Sequence, residues 1–481
     1  MKKLATNLHT VSILLVFFLL NLAIFVSCNR PASVPDDWEQ AEAILQQIEP
    51  PSFPDRSFSI TDFGAVGDGV TDNTANFEKA IAACHNAGGG RIVVPAGNYL
   101  TGAIHLKSNV NLVIRENATV RFSQDYNDYL PVVHTRFEGV ECMNYSPLIY
   151  AYEQTNIAIT GKGTLDGQAD ANIWWAWAKK PDHGWEPGMP DQRQDRDLLF
   201  QMAEDNVPVQ ERMFGDGHYL RTNFIQFYRC KNILIDGVTI KRSPMWEIHP
   251  VLSENITVRN VTVTSHGPNN DGCNPESSKN VLIENCYFDT GDDCIALKSG
   301  RNADGRRINV PTENVIIRNC QMKDGHGGVV IGSEMTGGCR NIFVEDCVMD
   351  SPNLDRALRI KTNSLRGGTV ENVYMRNVEI GQVADAVLRV YFHYERGDVG
   401  EFTPVVRNIK LQNVTSKKSK YALLLDGYER SPISNIVLES CDFQGVQQGN
   451  ILNHVEELQL RNVKINGQPM QMPVELAEEI L

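Results

Sequence analysis

The sequence predicts an all-β protein: a right-handed single-stranded parallel β-helix with a short N-terminal helical cap. Three observations predict this fold: a short motif that recurs in one orientation, the scarcity of two-residue hairpin turns between its copies, and one amphipathic helix pattern ahead of the main repeats. A short strand cannot bury two faces alone, but stacked copies share a continuous core, so a repeat of roughly 20 to 50 residues is typical of a solenoid.

Each copy of the motif begins with an asparagine, in the order Asn-apolar-x-apolar-x-Asn/Asp-apolar-x-apolar. The strong markers are Asn232, Asn255, Asn280, Asn314, Asn341, Asn372, Asn408 and Asn435. They are separated by 23, 25, 34, 27, 31, 36 and 27 residues, and weaker copies begin at Asn109, Asn156 and Glu457. A sandwich or propeller built from hairpins is the alternative, which the single orientation of the motif and the scarcity of Asn-Gly and Asp-Gly turns disfavour.

The N-terminus has the pattern of an export signal. Lys2 and Lys3 precede an apolar stretch over residues 11–26, which ends at a small residue followed by Cys28. This order predicts a signal peptide over residues 1–27. The cysteine directly after a small residue resembles a bacterial lipobox, so we expect a lipoprotein of the periplasm or outer membrane that contacts the membrane only through its lipid. A plain signal peptide or an uncleaved anchor is the alternative.

The remaining chain divides into a linker, one long domain and a tail. Residues 28–57 are proline-containing and linker-like, residues 58–470 carry the β-helix, and residues 471–481 form the tail. An amphipathic pattern from Thr74 to Ala87 predicts the helical cap. An insertion over residues 170–220 contains four of the six tryptophans. Exposed indoles would suit stacking on a sugar ring, and a small hydrophobic cluster is the alternative.

Composition limits the partners and the redox chemistry. A formal charge of −14 disfavours a nucleic-acid partner. Ten cysteines lie beyond Cys28, and four of them lie six residues after a repeat marker, where other copies carry valine. These four are Cys286, Cys320, Cys347 and Cys441. A position shared by cysteine and valine is a buried apolar one, so we predict mostly free core cysteines rather than disulfides.

Four short polar clusters fall on four successive copies of the motif. They are Asn269-Asn270-Asp271-Gly272, Gly291-Asp292-Asp293, Gly325-His326-Gly327 and Arg359-Ile360-Lys361. Coils of a β-helix lie about 4.8 Å apart, so residues at matching places form rows and the clusters meet on one wall. Arg359 and Lys361 leave the same face of a strand. The adjacent Asp292 and Asp293 can serve one cleft only if Gly291 lets the backbone bend.

These residue types suit the hydrolysis of an acidic sugar. Glycoside hydrolysis needs one carboxylic acid to protonate the leaving oxygen and one carboxylate to activate water or attack the anomeric carbon. Crowding three aspartates raises the pKa of one, so one residue type supplies both groups. Arg359 and Lys361 would bind a uronate carboxylate, and His326 would hydrogen-bond to the acid. A calcium site is the competing interpretation, but the segment Asn302-Ala303-Asp304-Gly305 lacks the later ligands of a calcium loop.

In combination, the four clusters resemble the signature of glycoside hydrolase family 28, the polygalacturonases, and the resemblance extends from Phe58 to the C-terminus. It implies a pectin-lyase-like fold, with Asp292 as the general acid and with Asp271 and Asp293 activating water in an inverting reaction. The one departure is Asn270, where the family commonly has threonine.

The same resemblance implies roles for the other polar residues. His326 corresponds to the assisting histidine, Arg359 and Lys361 to the residues that bind the substrate carboxylate, and Tyr391 to a further substrate-contacting tyrosine. It implies no cofactor and no metal ion.

The segments Gly267–Glu276 and Glu141–Pro147 look closer to bacterial exo-acting members of the family than to fungal endo-acting ones. The resemblance thus implies an enzyme that acts on pectic polysaccharide or oligogalacturonides and removes galacturonic acid from the non-reducing end of α-1,4-linked chains. We expect the protein to be a monomer. The long insertion is compatible, because blocking one end of a groove turns an endo enzyme into an exo enzyme. A rhamnogalacturonan hydrolase with the same residues is the nearest alternative. A calcium-dependent pectate lyase and a non-catalytic polysaccharide-binding β-helix are more distant ones.

Overall fold

The computed structural model describes residues 37–471 of the chain. The predicted signal peptide, the lipid-attachment residue Cys28 and the tail from residue 472 onward lie outside the described residues. The chain divides into two units between Ala43 and Ile44, and the described residues of the second unit carry the β-helix. Within residues 37–471, no helix has both the length and the apolar character needed to cross a membrane.

The second unit is a parallel β-helix, because nearly every strand pairs in parallel with the strand one coil away. The first sheet has 13 strands. They are β1 (Ser57–Ser59), β3 (Gly90–Val94), β6 (Val110–Ile114), β11 (Thr155–Gly161), β15 (Lys231–Asp236), β18 (Glu254–Arg259), β20 (Lys279–Glu284), β23 (Thr312–Arg318), β26 (Cys339–Glu345), β29 (Thr369–Arg376), β32 (Val405–Gln412), β35 (Ile433–Glu439) and β38 (Val455–Arg461).

The second sheet has 14 strands and follows the first around each coil. Its strands are β2 (Asp68–Asp72), β4 (Gly97–Thr101), β7 (Ala118–Phe122), β12 (Thr164–Asp166), β16 (Thr239–Lys241), β19 (Thr262–Ser265), β21 (Tyr287–Thr290), β24 (Gln321–Met322), β27 (Val348–Met349), β30 (Glu379–Ile380), β33 (Thr415–Ser416), β36 (Asp442–Phe443), β39 (Lys464–Ile465) and β40 (Gln468–Pro469).

The third sheet is built in two parts, of four and six strands. The first part comprises β5 (Ile104–His105), β10 (Ile149–Tyr152), β14 (Ile225–Tyr228) and β17 (Ile248–Val251). The second part comprises β22 (Ile295–Leu297), β25 (Val329–Gly332), β28 (Arg356–Lys361), β31 (Ala386–Tyr391), β34 (Tyr421–Asp426) and β37 (Ile451–Asn453). Isolated bridges through Cys273 and Glu276 join the two parts.

Other elements are inserted between the coils or lie near the N-terminus. A small sheet combines the antiparallel pair β8 (Val133–Phe137) and β9 (Val140–Asn144) with β13 (Met213–Phe214). The α-helices are α1 (Asp37–Leu45), α2 (Thr74–Asn86), α3 (Arg193–Glu204) and α4 (Asn302–Ile308). Short 3-10 helices occupy Ile60–Phe63, Tyr126–Tyr129, Ala176–Ala178, Pro181–His183 and Val209–Glu211.

The repeat-marking asparagines have a structural cause. Each strong marker has a left-handed backbone, with Asn341 at φ +58°, a region that asparagine adopts more readily than most other residues with a side chain. Their side chains also link neighbouring coils. Asn341 Nδ2 donates to Asn314 Oδ1 at 3.0 Å, and Asn372 Nδ2 donates to Asn341 Oδ1 at 3.0 Å. Each marker asparagine therefore occupies the same bend of the backbone in its coil.

The interior confirms the predicted cap and the predicted cysteines. Helix α2 buries Phe77, Ala80, Ile81 and Cys84 in the core that continues through the coils. All ten cysteines of the described residues are free and buried, which agrees with small apolar core positions. Cys273 and Cys294, the two that lie beside the polar clusters, also belong to this core.

Two tryptophans of the insertion are buried core residues and the other two are partly buried, so the hypothesis of exposed indoles is wrong for all four. Trp174 and Trp177 are buried in the main core, with ring centroids 4.8 Å apart. Trp175 is partly buried and donates its indole N–H to the Ser243 carbonyl at 2.8 Å. Stacked coils leave an apolar surface where the insertion starts, and these indoles cover it.

Candidate active site

One cavity of about 410 Å³ lies where the third sheet carries the four polar clusters. Six of the sequence-predicted site residues line it. They are Asp271, Asp292, Asp293, His326, Arg359 and Lys361. Stacking of successive coils has therefore brought together residues that are up to 90 positions apart in the sequence.

The loop that presents Asp271 is fixed by the side chain before it. Asn270 is fully buried, and its Oδ1 accepts hydrogen bonds from the Gly267 N–H and the Ser265 hydroxyl, both at 2.7 Å. Its Nδ2 donates to the Ser243 carbonyl at 3.1 Å, which ties the loop to the preceding coil. The asparagine that departs from the common family pattern thus holds the aspartate in place.

Gly291 is required here for close approach between coils. A Cβ at this position would lie 2.5 Å from the Gly267 carbonyl oxygen, which no side chain tolerates. The absence of a side chain lets Asp292 and Asp293 both line the cavity. The Asp293 N–H also donates to Asp292 Oδ1 at 3.0 Å, so the first carboxylate folds back over its own backbone.

Asp292 is paired with His326. Its Oδ1 lies 2.8 Å from His326 Nδ1. Burial alone would raise the pKa of Asp292, but the hydrogen bond and charge of the histidine, helped by the charges of Lys361 and Lys298, lower it well below its ordinary value. The same hydrogen bond raises the pKa of His326. In the free protein the proton of this pair therefore resides on the histidine.

Asp293 is held by the two cations that the sequence predicts as carboxylate binders. Lys361 Nζ lies 2.8 Å from Asp293 Oδ2, and Arg359 Nη1 lies 3.6 Å from Asp293 Oδ1. Within the described chain, Oδ1 accepts no hydrogen bond although it is buried. Asp293 thus has a fixed orientation and one oxygen with acceptor capacity to spare.

Asp271 has a cation of its own, Lys298. The Lys298 Nζ lies 3.5 Å from Asp271 Oδ2 and 3.3 Å from Glu334 Oε2. Burial raises the pKa of Asp271 well above its ordinary value, Lys298 opposes this rise, and the neighbouring Asp292 and Asp293 add to it. The sequence predicts one raised carboxyl in this cluster, and the structure assigns the raised pKa to Asp271 rather than to the predicted general acid.

Sequence reasoning missed Lys298 and the β8–β9 hairpin at the cavity, whereas the insertion that carries Arg196 is already expected from the sequence to block one end of the groove. Glu138 is at the tip of the β8–β9 hairpin, and Arg196 lies on α3 of the insertion, with its Nη2 2.7 Å from Glu138 Oε2. Arg301 lies 3.4 Å from Glu334 and 3.6 Å from Glu138. A signal was available only for the hairpin, because Glu138 precedes a glycine between two alternating apolar segments.

Tyr391, on the next coil, pairs in register with Lys361, and its contact with substrate stays a prediction. Tyr391 does not line the cavity; its ring packs against the Arg389 guanidinium at 4.8 Å. The chain turns after β31, and Tyr394 instead enters the cavity, with its ring centroid 5.7 Å from the Arg359 guanidinium carbon and 5.5 Å from Lys361 Nζ.

The possible calcium segment is a helix in the structure. Asn302 to Gly305 lie in α4, where Asp304 Oδ1 contacts Arg212 Nη1 at 3.0 Å and Arg307 Nη2 at 2.8 Å. Two guanidinium groups thus occupy the carboxylate that a cation would need.

Comparison with known proteins agrees with this geometry. The model of "Glycosyl hydrolases family 28" matches residues 215–465, and that of "Rhamnogalacturonase A/epimerase, pectate lyase-like" matches residues 57–119. A probable polygalacturonase of Vitis vinifera is 31% identical over 399 residues, which are 80% of this chain and 73% of that protein. An exo-poly-alpha-D-galacturonosidase of Dickeya chrysanthemi is 27% identical, covering 85% of this chain and 71% of that protein.

Among solved structures, a hyperthermoactive exopolygalacturonase from Thermotoga maritima superposes with a TM-score of 0.88 at 47% identity, covering 90% of this chain and 96% of that one. The matched region contains all four polar clusters, and the parallel coils that carry them are shared. The chain belongs to the glycosyl hydrolases of family 28.

Proposed function

We propose that this glycoside hydrolase cleaves α-1,4-linked galacturonic acid in pectin and removes single residues from the non-reducing end, with inversion at the anomeric carbon. The observation that carries the proposal is the cavity itself. It joins three aspartates to Arg359 and Lys361, two fixed cations that suit a uronate carboxylate. The exo-acting relatives named above support the mode of action.

The proposed roles follow from charge. Asp292 is the general acid, and the proton it needs is held by His326 in the free protein. A substrate carboxylate bound to Lys361 would neutralise one of the charges that lower the pKa of Asp292. Substrate binding would therefore favour transfer of the proton from the histidine to the aspartate, next to the glycosidic oxygen.

Water activation falls to Asp271 and Asp293. Both stand two residues before an inward-facing residue of the third sheet, Cys273 and Ile295, and these two residues pair in register. The two carboxylates therefore lie on neighbouring coils on the same side of the cavity. A water molecule held between them would lose a proton as it attacks the anomeric carbon.

Exo action follows from the elements that are inserted between the coils. The hairpin tip carries Glu138, and the insertion contributes Lys180 and Arg196 to the cavity lining. An open β-helix groove accepts the middle of a polymer, whereas inserted walls leave room for a chain end.

The decisive experiment is product identification. Purified protein is incubated separately with homogalacturonan and rhamnogalacturonan, and the released sugars are identified. We expect monomeric galacturonate from homogalacturonan, and loss of release in Asp292→Asn and Asp293→Asn. Asp289→Asn is the matched control, because Asp289 lies on the same coil outside the cavity and contacts His266 at 3.0 Å. Release from rhamnogalacturonan alone would favour the rhamnogalacturonan hydrolase. Unchanged release in both aspartate variants would overturn the catalytic assignment.

The proposed cellular context is an exported, lipid-anchored monomer. The order of Lys2, the apolar stretch over residues 11–26 and Cys28 supports it. Metabolic labelling with radioactive palmitate should mark the wild type and not Cys28→Ser, and labelling of both would contradict the lipid attachment. Light scattering of the mature domain should give the mass of one chain.

A further inference from the structure

We propose that Lys298 is a positioning residue that opposes the protonation of Asp271 and so favours the carboxylate that accepts a proton from water. The inference deepens the proposed function, and it rests on hydrolysis at this cavity. It adds a third cation to the two that the sequence singles out.

Lys298 is buried, and its ammonium group is held in place by contacts on several sides. The residue is 2% exposed, and its ammonium lies between Asp271 Oδ2 at 3.5 Å and Glu334 Oε2 at 3.3 Å. The indole of Trp246 lies beneath it, 4.4 Å from Nζ to the ring centroid. An aromatic face and two carboxylates stabilise a desolvated cation, so the ammonium has one position and one charge state.

Each aspartate of the cluster then has a separate cationic partner. Asp292 contacts His326 at 2.8 Å, and Asp293 contacts Lys361 at 2.8 Å. Lys298 forms an ion pair with Asp271, whereas the side chain of the described residues that donates a hydrogen bond to Asp271 is neutral, Asn274 Nδ2 at 2.8 Å. A buried carboxyl that faces two other aspartates keeps its proton unless a cation opposes them, and a protonated carboxyl cannot act as a base.

The register of the third sheet keeps the two lysines apart. Gly332 pairs with Lys361, and the pairing of β22 with β25 places Lys298 beside Gly332. A Cβ at Gly332 would lie 2.2 Å from the Lys361 carbonyl oxygen, so this place in the row has no side chain. Lys298 and Lys361 are therefore two coils apart, and each reaches a different aspartate.

Glu334 competes with Asp271 for the positive charge of Lys298. It draws the ammonium away from Asp271 and is itself held by Arg301 at 3.4 Å, with the charges of Arg366 and Lys361 also acting on it. The charged groups that act most strongly on Asp271 are Lys298, Asp292, Asp293 and Lys361. Arg221 and the buried Glu247 also interact with it electrostatically, and both remain in every variant of the test. Loss of Lys298 should therefore disfavour the Asp271 carboxylate, whereas loss of the Glu334 charge should favour it.

The test uses the opposite effects that the two substitutions should have on the pKa of Asp271. The rate of galacturonate release, as kcat/KM against pH, is compared in wild type, Lys298→Met, Lys298→Arg and Glu334→Gln. For Lys298→Met we expect the acidic limb to move to higher pH by about one to three units. Activity below the wild-type limb then falls at least about tenfold. The arginine variant should stay near wild type, and Glu334→Gln should move the limb to lower pH. Lys298→Met and Glu334→Gln limbs that move in the same direction, or do not move, would overturn the proposal.

A second readout does not depend on activity. Infrared titration of the carboxyl groups follows protonation in Lys298→Met and in the double variant Lys298→Met with Asp271→Asn. We expect one carboxyl in the single variant to protonate at higher pH than in wild type, and this signal to be missing from the double variant. Its presence in both would contradict the proposal, even if the wild type acts on a different polysaccharide. If Lys298→Met does not fold, the Glu334→Gln titration decides, since Asp271 should there ionise at lower pH.

Discussion

Replacing Lys361 by methionine breaks the buried ion pair that this lysine forms with Asp293 in the cavity. Lys361 Nζ lies 2.8 Å from Asp293 Oδ2, and the two side chains are 9% and 1% exposed. With an effective dielectric constant of about 20, the attraction across this distance is about 6 kcal/mol, and that of Arg359 at 3.6 Å is about 4.6 kcal/mol. Breaking a buried pair costs about 3 to 5 kcal/mol. Because Arg359 remains, we expect about 3 kcal/mol.

Two assays measure this cost. Urea unfolding at neutral pH gives the loss of stability. The pKa of Lys361, although burial opposes it, is raised by Asp293, so its contribution is fully present below 10.5 and is lost only as the pH rises through the raised value. Steady-state kinetics give the second measurement. If the transition state loses a similar stabilisation of about 3 kcal/mol, kcat/KM falls by about 10²-fold.

Arg359→Met and Lys361→Arg are the matched variants. Arg359→Met should cost less stability because its distance to Asp293 is longer, and Lys361→Arg should recover part of the stability. A Lys361→Met protein with unchanged stability and kcat/KM, or one more stable than Arg359→Met, would refute this reasoning.

Three further predictions concern the histidine, the asparagine ladder and metal ions. The raised pKa of His326 and the lowered pKa of Asp292 make their ion pair fully stabilising between the unfolded-state values of 3.8 and 6.5. The stability difference from His326→Ala should vanish as the pH rises through the folded value of the histidine or falls through that of the aspartate; a pH-independent difference in urea unfolding would contradict this. Asn341→Ala loses bonds to Asn314 and Asn372 and places alanine at φ +58°, so it should cost about 3 kcal/mol, and Asn341→Gly less; equal costs would exclude the backbone contribution. EDTA should leave the rate of sugar release unchanged, with no rise in ultraviolet absorbance, whereas inhibition together with such a rise would indicate a calcium-dependent lyase.

The coils could be predicted because their signals are local. Every marker such as Asn341 needs a left-handed backbone, and every following Cys or Val fills the same core position, so the pattern repeats in the sequence. The four clusters could be placed on one wall for the same reason: each belongs to one copy of the motif, and the four copies follow one another. The fold and the type of reaction could therefore be predicted from the periodicity together with the family resemblance.

The missed residues depend on contacts between distant segments. Lys298 is defined by Glu334, 36 residues later, and by the register that places Gly332 between the two lysines. Glu138 enters through a hairpin whose direction only the packed structure gives. Tyr391 and Tyr394 are three residues apart, and the turn after β31 decides which of them reaches the cavity.

The pKa pattern is also a property of the packed site. Three neighbouring aspartates imply that one of them is hard to ionise, but which one depends on the distances to three cations. The sequence contains the groups and not these distances. Burial raises the pKa of Asp271, and its cation offsets this rise less than the cations of the other two aspartates do, because it is the most distant of the three and is shared with Glu334.

The most direct test of the central claim is the digestion of an oligogalacturonide that is labelled at its reducing end. An enzyme whose cavity accepts only a non-reducing chain end should shorten the labelled product by one residue at a time and release unlabelled galacturonate from the first turnover. Labelled galacturonate at early times, or labelled fragments of random length, would contradict the account.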